Sequence, residues 1–197
     1  MYRSVNLEVK MRPSKRDELV HKALTAFYRN GFHATGMDML AAETGISKTS
    51  MYKHFRTKEE LILAVLRLRD ESFRNWMYRR IEELADTPRE QLIAMFDALE
   101  QWIEEPGFQS CMFIKASSEF QQPDHPIHRQ SADHKRMLET HVIGLAQRAG
   151  YKDPATVARQ LLLLVEGAIV TAHLGHTARP ANDAKQAAIA LLDSAAT

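Results

Sequence analysis

Apolar residues recur at helical spacing along almost the whole chain, and Pro and Gly punctuate the runs. No stretch sustains the alternation of a strand, and no segment repeats. The pattern predicts an all-α fold of about nine helices. Leu19, Val20, Ala23, Leu24 and Phe27 share one face of a first helix over 14–30, which Ser14 caps and Gly31 stops. A short second helix covers 37–44, with Leu40 and Ala41 inward and Thr35 or Gly36 at its start. A third covers 48–54 behind the cap Ser47. Thr57-Lys58-Glu59-Glu60 reads as a capping box opening a long fourth helix to about Leu84. At ~1.5 Å per residue that helix spans about 40 Å.

The second part of the chain continues the pattern. Thr87-Pro88-Arg89-Glu90 opens a fifth helix that ends near Pro106-Gly107. A short sixth covers about 110–120, and a loop runs from Gln121 to Pro126. The seventh covers 127–149 and stops at Gly150. Asp153-Pro154 opens the eighth, which reaches Leu174. Its segment Leu161 to Val165 is nearly all apolar and is expected to be buried on more than one side. The ninth, rich in alanine, starts at Asn182 or Asp183 and runs close to the C-terminus.

Helices one to three form a compact N-terminal group. Ala41 and Gly45 are four apart, so two helices can cross closely, and Gly45 permits a positive φ in the turn. Ile46 plugs that corner. Met51 and Phe55 point inward, which leaves Lys48, Thr49, Ser50, Tyr52 and Lys53 outward. A plain three-helix core and a helix-turn-helix both fit this periodicity. Charge favours the second. Residues 1–60 hold 11 Lys/Arg against 7 Asp/Glu, whereas 61–197 hold 15 against 18, within a net charge of +1. A basic head on a mildly acidic body suits a polyanion bound at one end. A short helix flanked by phosphate-seeking groups also suits the DNA major groove, about 12 Å wide.

The residues Gly31-Phe32, Ala34-Thr35, Leu40-Ala41, Gly45-Ile46-Ser47-Lys48, Met51-Tyr52, His54-Phe55 and Thr57-Lys58-Glu59-Glu60-Leu61 stand in one register. Over about 14–62 this pattern resembles the DNA-binding domain of the tetracycline-repressor (TetR) family. The resemblance implies an all-α homodimer with a ligand-binding C-terminal domain, usually a repressor released from its operator by a small molecule. Carried over by position, Lys48, Thr49 and Ser50 would face base edges or nearby phosphates. Tyr52 and His54 would contact phosphates, Lys53 would lie on the same DNA-facing side, and Lys58 would meet the backbone from the first turn of the fourth helix. Thr35 would donate to a phosphate from the start of the second helix. Gly36 departs from the family, which often has Ser or Thr there, so Thr35 is left to supply that hydroxyl.

This reading divides the chain into a basic arm at 1–13, a helix-turn-helix domain at 14–60 and a ligand-binding and dimerisation domain at 61–197. Arg3, Lys10 and Arg12 in the arm are candidates for transient phosphate contacts, and Met11 is a candidate for the natural start. The partners expected are a double-stranded DNA operator, a second copy of the chain and a small-molecule effector. The dimer would form through helices near 154–175 and 182–196, where Ala187, Ala188 and Ala190 permit close packing; the alternative is that the eighth helix is simply the monomer core. Candidate pocket residues are Trp76, Phe96, Trp102, Cys111, Phe113, Phe120, His134, His141, Glu166 and His173. Any of the aromatic ones can instead be ordinary core.

His134 and His141 are seven apart and can share a side, so with Asp133, Glu119 or Glu166 they could converge on a metal or an anionic ligand. No tight zinc signature supports a metal, and no cofactor is expected. The lone Cys111 excludes an intrachain disulfide and fits a reducing cytoplasm, where the protein is expected; it reads as a small buried hydrophobe sooner than as a redox sensor. The start is too polar for a signal peptide, and no apolar run is expected to approach the ~20 residues of a membrane span. No P-loop, GxSxG or HExxH motif points to an enzyme. The competing reading to a ligand-responsive regulator is a ligand-insensitive architectural DNA-binding protein.

Overall fold

The structure, a computed structural model, describes residues 14–195. The proposed arm at 1–13 and its phosphate contacts lie outside the described residues. Nine helices follow one another within them: α1 (Lys15–Asn30), α2 (Met37–Thr44), α3 (Lys48–His54), α4 (Lys58–Leu84), α5 (Pro88–Ile103), α6 (Met112–Glu119), α7 (Pro126–Arg148), α8 (Pro154–Leu174) and α9 (Pro180–Ala195). The ninth starts at Pro180 and not at Asn182, because a proline at the first helical position gives up no intrahelical hydrogen bond.

Local chemistry sets the ends. The Ser14 hydroxyl accepts the Asp17 N–H, that of Ser47 accepts Ser50, and that of Thr57 accepts Glu60. The Glu60 carboxylate turns back to the Arg56 N–H at 2.8 Å, one residue before the cap, so it closes the turn that separates α3 from α4. Thr87 and Glu90 form a reciprocal capping box at α5. Gly45 ends α2 in the left-handed region, with φ of 69°.

The head packs around Leu19, Ala23, Phe27, Phe32, Leu40 and Met51, all fully buried. Leu61, Ile62 and Val65 carry that core onto α4, so the first turns of α4 belong to both halves. α4 then runs 27 residues into the body, where α5, α7, α8 and α9 pack together. α6 lies on α7 and closes the end nearest the head.

α8 corrects one expectation. It is 21 residues long with a mean hydropathy of 1.5 in its most apolar window, long and apolar enough by length and composition to cross a membrane. Arg159 and Glu166 interrupt the run, which hides its length in the sequence. Val157, Ala158, Leu161, Val165, Ala168 and Ile169 account for one face, buried against α7 and α9.

Candidate nucleic-acid interface and body cavity

α3 presents its outward residues as the helical phase requires. Met51 is fully buried and anchors the helix, while Thr49, Tyr52, Lys53 and His54 are exposed and Ser50 is half-buried. Tyr52 is 50% exposed. Lys48 is exposed but engaged: its Nζ lies 2.6 Å from Asp38 Oδ1 on α2. That pair holds the start of α3 against α2, and Asp38 also keeps the Lys48 ammonium protonated to higher pH.

Two of the expected phosphate donors are placed differently. Thr35 is fully buried, and its hydroxyl donates to the Gly31 carbonyl. It is an internal brace of the α1–α2 connection with no hydroxyl to offer a phosphate. Sequence position put it beside the DNA; the tight turn after Gly31 points it inward. Lys58 is half-buried and donates to the carbonyl oxygens of Phe32 at 2.9 Å, Thr35 at 3.3 Å and His33 at 3.5 Å. Its ammonium therefore ties α4 to the same connection.

Sequence reasoning missed the other side of this tie. Glu119, at the end of α6, accepts the backbone N–H of Phe32 at 2.9 Å and the N–H of His33, and its carboxylate lies 2.9 Å from His33 Nδ1. Phe120 stacks on His33 with centroids 4.6 Å apart and meets Phe32 edge-on at 6.4 Å. Tyr28 makes a further junction: its hydroxyl donates to the Ser110 carbonyl and accepts the Gln109 N–H, both at 2.9 Å. Segment 31–35 is thus gripped from α4 through its carbonyls and from α6 through its amides.

The body holds a narrow apolar cavity of about 40 Å³, room for a few waters. Of the ten candidates, Trp102, Cys111, Phe113, His134, His141 and Glu166 line it. Trp76 packs beside Phe73, which takes the cavity wall in its place. Phe96 is core: Met95 and Leu99, four apart, face the cavity, and the next residue is turned by roughly 100°. Phe120 belongs to the junction with the head, and His173 is exposed in the last turn of α8, beyond the cavity.

Polar groups in the wall are few and tied. His134 is 2% exposed and lies face to face with Phe113, centroids 3.7 Å apart. Its Nδ1 is 2.7 Å from Asp70 Oδ1 on α4, and Arg74 clamps the same carboxylate with Nε at 2.8 Å and Nη2 at 2.9 Å. Burial pushes the imidazole down to about 4, against the pull of Asp70. At neutral pH it is uncharged, and Arg74 alone balances Asp70. For Asp70, burial works upward and the hydrogen bonds from Arg74 and His134 outweigh it, leaving the carboxyl below its usual range. Lys135 pairs with Glu166 and lies 3.4 Å from Cys111 Sγ.

An outer groove of about 490 Å³ shares Lys135, Leu138, Leu162 and Glu166 with the cavity, so this ion pair stands between the two spaces. Of the acids considered alongside the histidines, only Glu166 is there; Asp133 pairs with Arg136 on the surface and Glu119 grips the head. Among the described residues no group of three or more His, Cys, Asp or Glu side chains converges as a metal site.

Residues 19–65 match the model of bacterial regulatory proteins of the tetR family. A solved structure described as a putative TetR transcriptional regulator from Streptomyces avermitilis is 31% identical, covers 94% of this chain and 100% of its own, and superposes with a TM-score of 0.82. The chain belongs to the TetR family. A TetR-family regulator from Streptomyces coelicolor superposes with a TM-score of 0.86 at 27% identity, covering 92% of this chain and 96% of that one. The HTH-type transcriptional repressor KstR2 of Mycolicibacterium smegmatis is 37% identical over 94 residues, 46% of this chain and 44% of that protein. This TetR-family chain is a DNA-binding transcriptional regulator and not an enzyme. Its helix-turn-helix is α2 and α3, the pair joined at Gly45.

Proposed function

We propose that the chain acts as a homodimeric repressor in the cytoplasm and leaves its operator when a small molecule opens the body cavity. The observation that carries this reading is the double grip on segment 31–35. α6 and its capping residue Cys111 contribute Cys111, Met112 and Phe113 to the cavity wall, and the helix ends in Glu119, which holds the head. A ligand that shifts α6 therefore bears on the seat of the helix-turn-helix. α4 offers a parallel route, from Phe73 and Met77 at the cavity to Lys58 at the same segment. By linkage, an effector that weakens operator binding is itself bound more weakly by the operator complex, by the same factor.

In this reading residues 14–60 read the DNA and 61–197 receive the effector and the partner subunit. Thr49, Ser50, Tyr52, Lys53 and His54 meet the duplex, with Lys48 released from Asp38 on contact. Support for the dimer comes from α8. Six large hydrophobic residues are exposed in the described chain, and three of them, Leu163, Val170 and Leu174, form one stripe on this helix. Ala187 and Ala190 of α9 are exposed beside Ala188, which is buried. Pairing such faces about a two-fold axis sets two heads on one side of the duplex, as half-sites about 34–36 Å apart require.

One observation favours the ligand-insensitive alternative: at about 40 Å³ the cavity is far below the ~300 Å³ of an ordinary ligand site. The two readings separate in one experiment. An operator is selected from random duplex DNA and its affinity measured with and without a panel of small apolar compounds. A loss of affinity of tenfold or more with one compound supports the effector reading. Constant affinity across the panel, with no compound bound, supports the alternative.

A further inference from the structure

The cavity wall is mainly apolar and aromatic, with Phe73, Trp102 and Phe113 as its flat surfaces. Its polar groups decide what can bind. Asp70 is ionised, so the His134 atom facing it, Nδ1, carries the ring proton. In a neutral imidazole the other nitrogen is then a pure acceptor. No group among the described residues is hydrogen-bonded to Nε2 of His134, and the ring lines the cavity, although that nitrogen is not among the fully buried atoms left without a partner. A second acceptor waits nearby: Glu166 Oε2 is buried without a hydrogen-bond partner. The charged residues of the wall are Arg69, Lys135 and Glu166, an excess of one positive charge, which disfavours a cationic ligand.

The acceptor left buried without a partner, Glu166 Oε2, is costly, and Nε2 of His134 faces the same cavity with its lone pair unused, so a bound molecule gains by bringing a donor. A flat apolar molecule with one hydroxyl matches the wall in both respects. We propose that the body cavity is a site for hydroxylated aromatic molecules of the phenol class, whose O–H donates to Nε2 of His134 while the ring packs among Phe73, Trp102 and Phe113. This rests on the effector reading and narrows it to a ligand class. A cavity of about 40 Å³ does not hold an aromatic ring as it stands. Space comes from the outer groove when the Lys135–Glu166 pair swings aside, since both residues border both spaces. The contact reaches α4 directly, because the ring that receives the hydroxyl is held by Asp70 of that helix.

The test compares phenol with toluene, which replaces the hydroxyl by a methyl group, on the full-length protein. Calorimetric titration is expected to show phenol binding about tenfold more tightly, the worth of one satisfied acceptor. In His134→Phe, which keeps a ring on Phe113, that preference is expected to vanish. Imidazole ¹⁵N spectra of the unsubstituted protein provide a readout independent of the variant's folding: phenol, and not toluene, is expected to shift the Nε2 resonance that His134→Phe or His134→Gln lacks. Equal binding of both compounds, binding of neither, or no shift of that resonance overturns the assignment. Equal operator release by toluene and phenol overturns the hydroxyl contact and leaves the effector reading standing. Phenol bound at His134 with no change in operator affinity upholds the site and overturns the effector reading.

Discussion

The carboxylate of Glu119 accepts the backbone N–H of Phe32 at 2.9 Å, across 87 residues of sequence. One is the last residue of a body helix; the other sits in the turn that feeds the helix-turn-helix. The same carboxylate lies beside the glycine before Phe32. A Cβ on Gly31 would come within 2.9 Å of Glu119 Oε1 and push that side chain from its grip, and φ there is +83°, so the backbone is what requires glycine. The helix stop and the grip from the body are one feature.

Glu119→Ala removes the acceptor for two backbone amides and the partner of His33. The carboxylate is only 25% exposed, so the loss is expected to cost about 1.5–3 kcal/mol of stability, as for hydrogen bonds to a charged group. Urea unfolding measures it. An effector would also release the operator less fully in this variant, because α6 no longer pulls on segment 31–35. Undiminished release in a folded Glu119→Ala protein would show that α4 alone carries the signal.

The parts of this protein that were legible in sequence are the local ones. Caps at Ser14, Ser47, Thr57 and Thr87 and the turn at Gly45 are encoded within four residues of where they act, so all five were readable. Met51 as the inward anchor of α3 follows from helical phase alone. Long-range placement was not readable. Thr35 and Lys58 are read from sequence as phosphate donors, whereas Thr35 is a buried brace and Lys58 is bound to three carbonyls. Glu119 drew attention only as a partner for distant histidines, since nothing near it announces the head. Within the body, six of the ten candidate pocket residues line the cavity, and helical phase separates Phe96 from Met95 and Leu99, which face it.

Acid sensitivity is expected to trace to His134. Its folded value is about 4 against 6.5 for the free side chain, so between those values the unfolded chain binds a proton that the folded one does not. Stability then rises with pH across that window, and falls as pH drops from 6.5 toward 4. The full shift corresponds to about 3 kcal/mol. Asp70 acts lower: its depressed carboxyl contributes stability above the unfolded carboxylate value, about 3.9, and loses it only as pH falls through its own. Urea melts at intervals from pH 4.5 to 7.5 test this, with His134→Phe expected to give a flatter profile. A profile as steep as the unsubstituted protein's would place the titration elsewhere.

The exposed stripe on α8 predicts the effect of charge there. Leu163 is 72% exposed and Leu174 68%, so replacing either by Glu costs the isolated subunit little. A two-fold interface carries each substitution twice and brings like charges together. Leu163→Glu with Leu174→Glu is expected to weaken self-association by at least about a hundredfold, on the scale of several kcal/mol for opposed charges in an interface. Sedimentation equilibrium reads it directly, and circular dichroism checks that the helices persist. A variant that still sediments as a dimer would move the interface to another face.

Lys53 and Lys58 test the proposed DNA contact against architecture. Lys53 is exposed on α3 with no ion pair among the described residues, whereas Lys58 is held by the carbonyls of Phe32, His33 and Thr35. A lysine that neutralises one phosphate contributes about 0.9 to the slope of log affinity against log salt. Lys53→Ala is expected to lower that slope by about one and leave stability within about 0.5 kcal/mol. Lys58→Ala is expected to do the reverse first: it leaves three carbonyls short of a donor and costs about 1–2 kcal/mol in unfolding. Its operator affinity falls across all sequences, because the seat of α2 loosens, with the salt slope nearly unchanged. A full unit lost from the slope in Lys58→Ala, with stability intact, would instead mean that the ammonium leaves its carbonyl cradle to meet a phosphate.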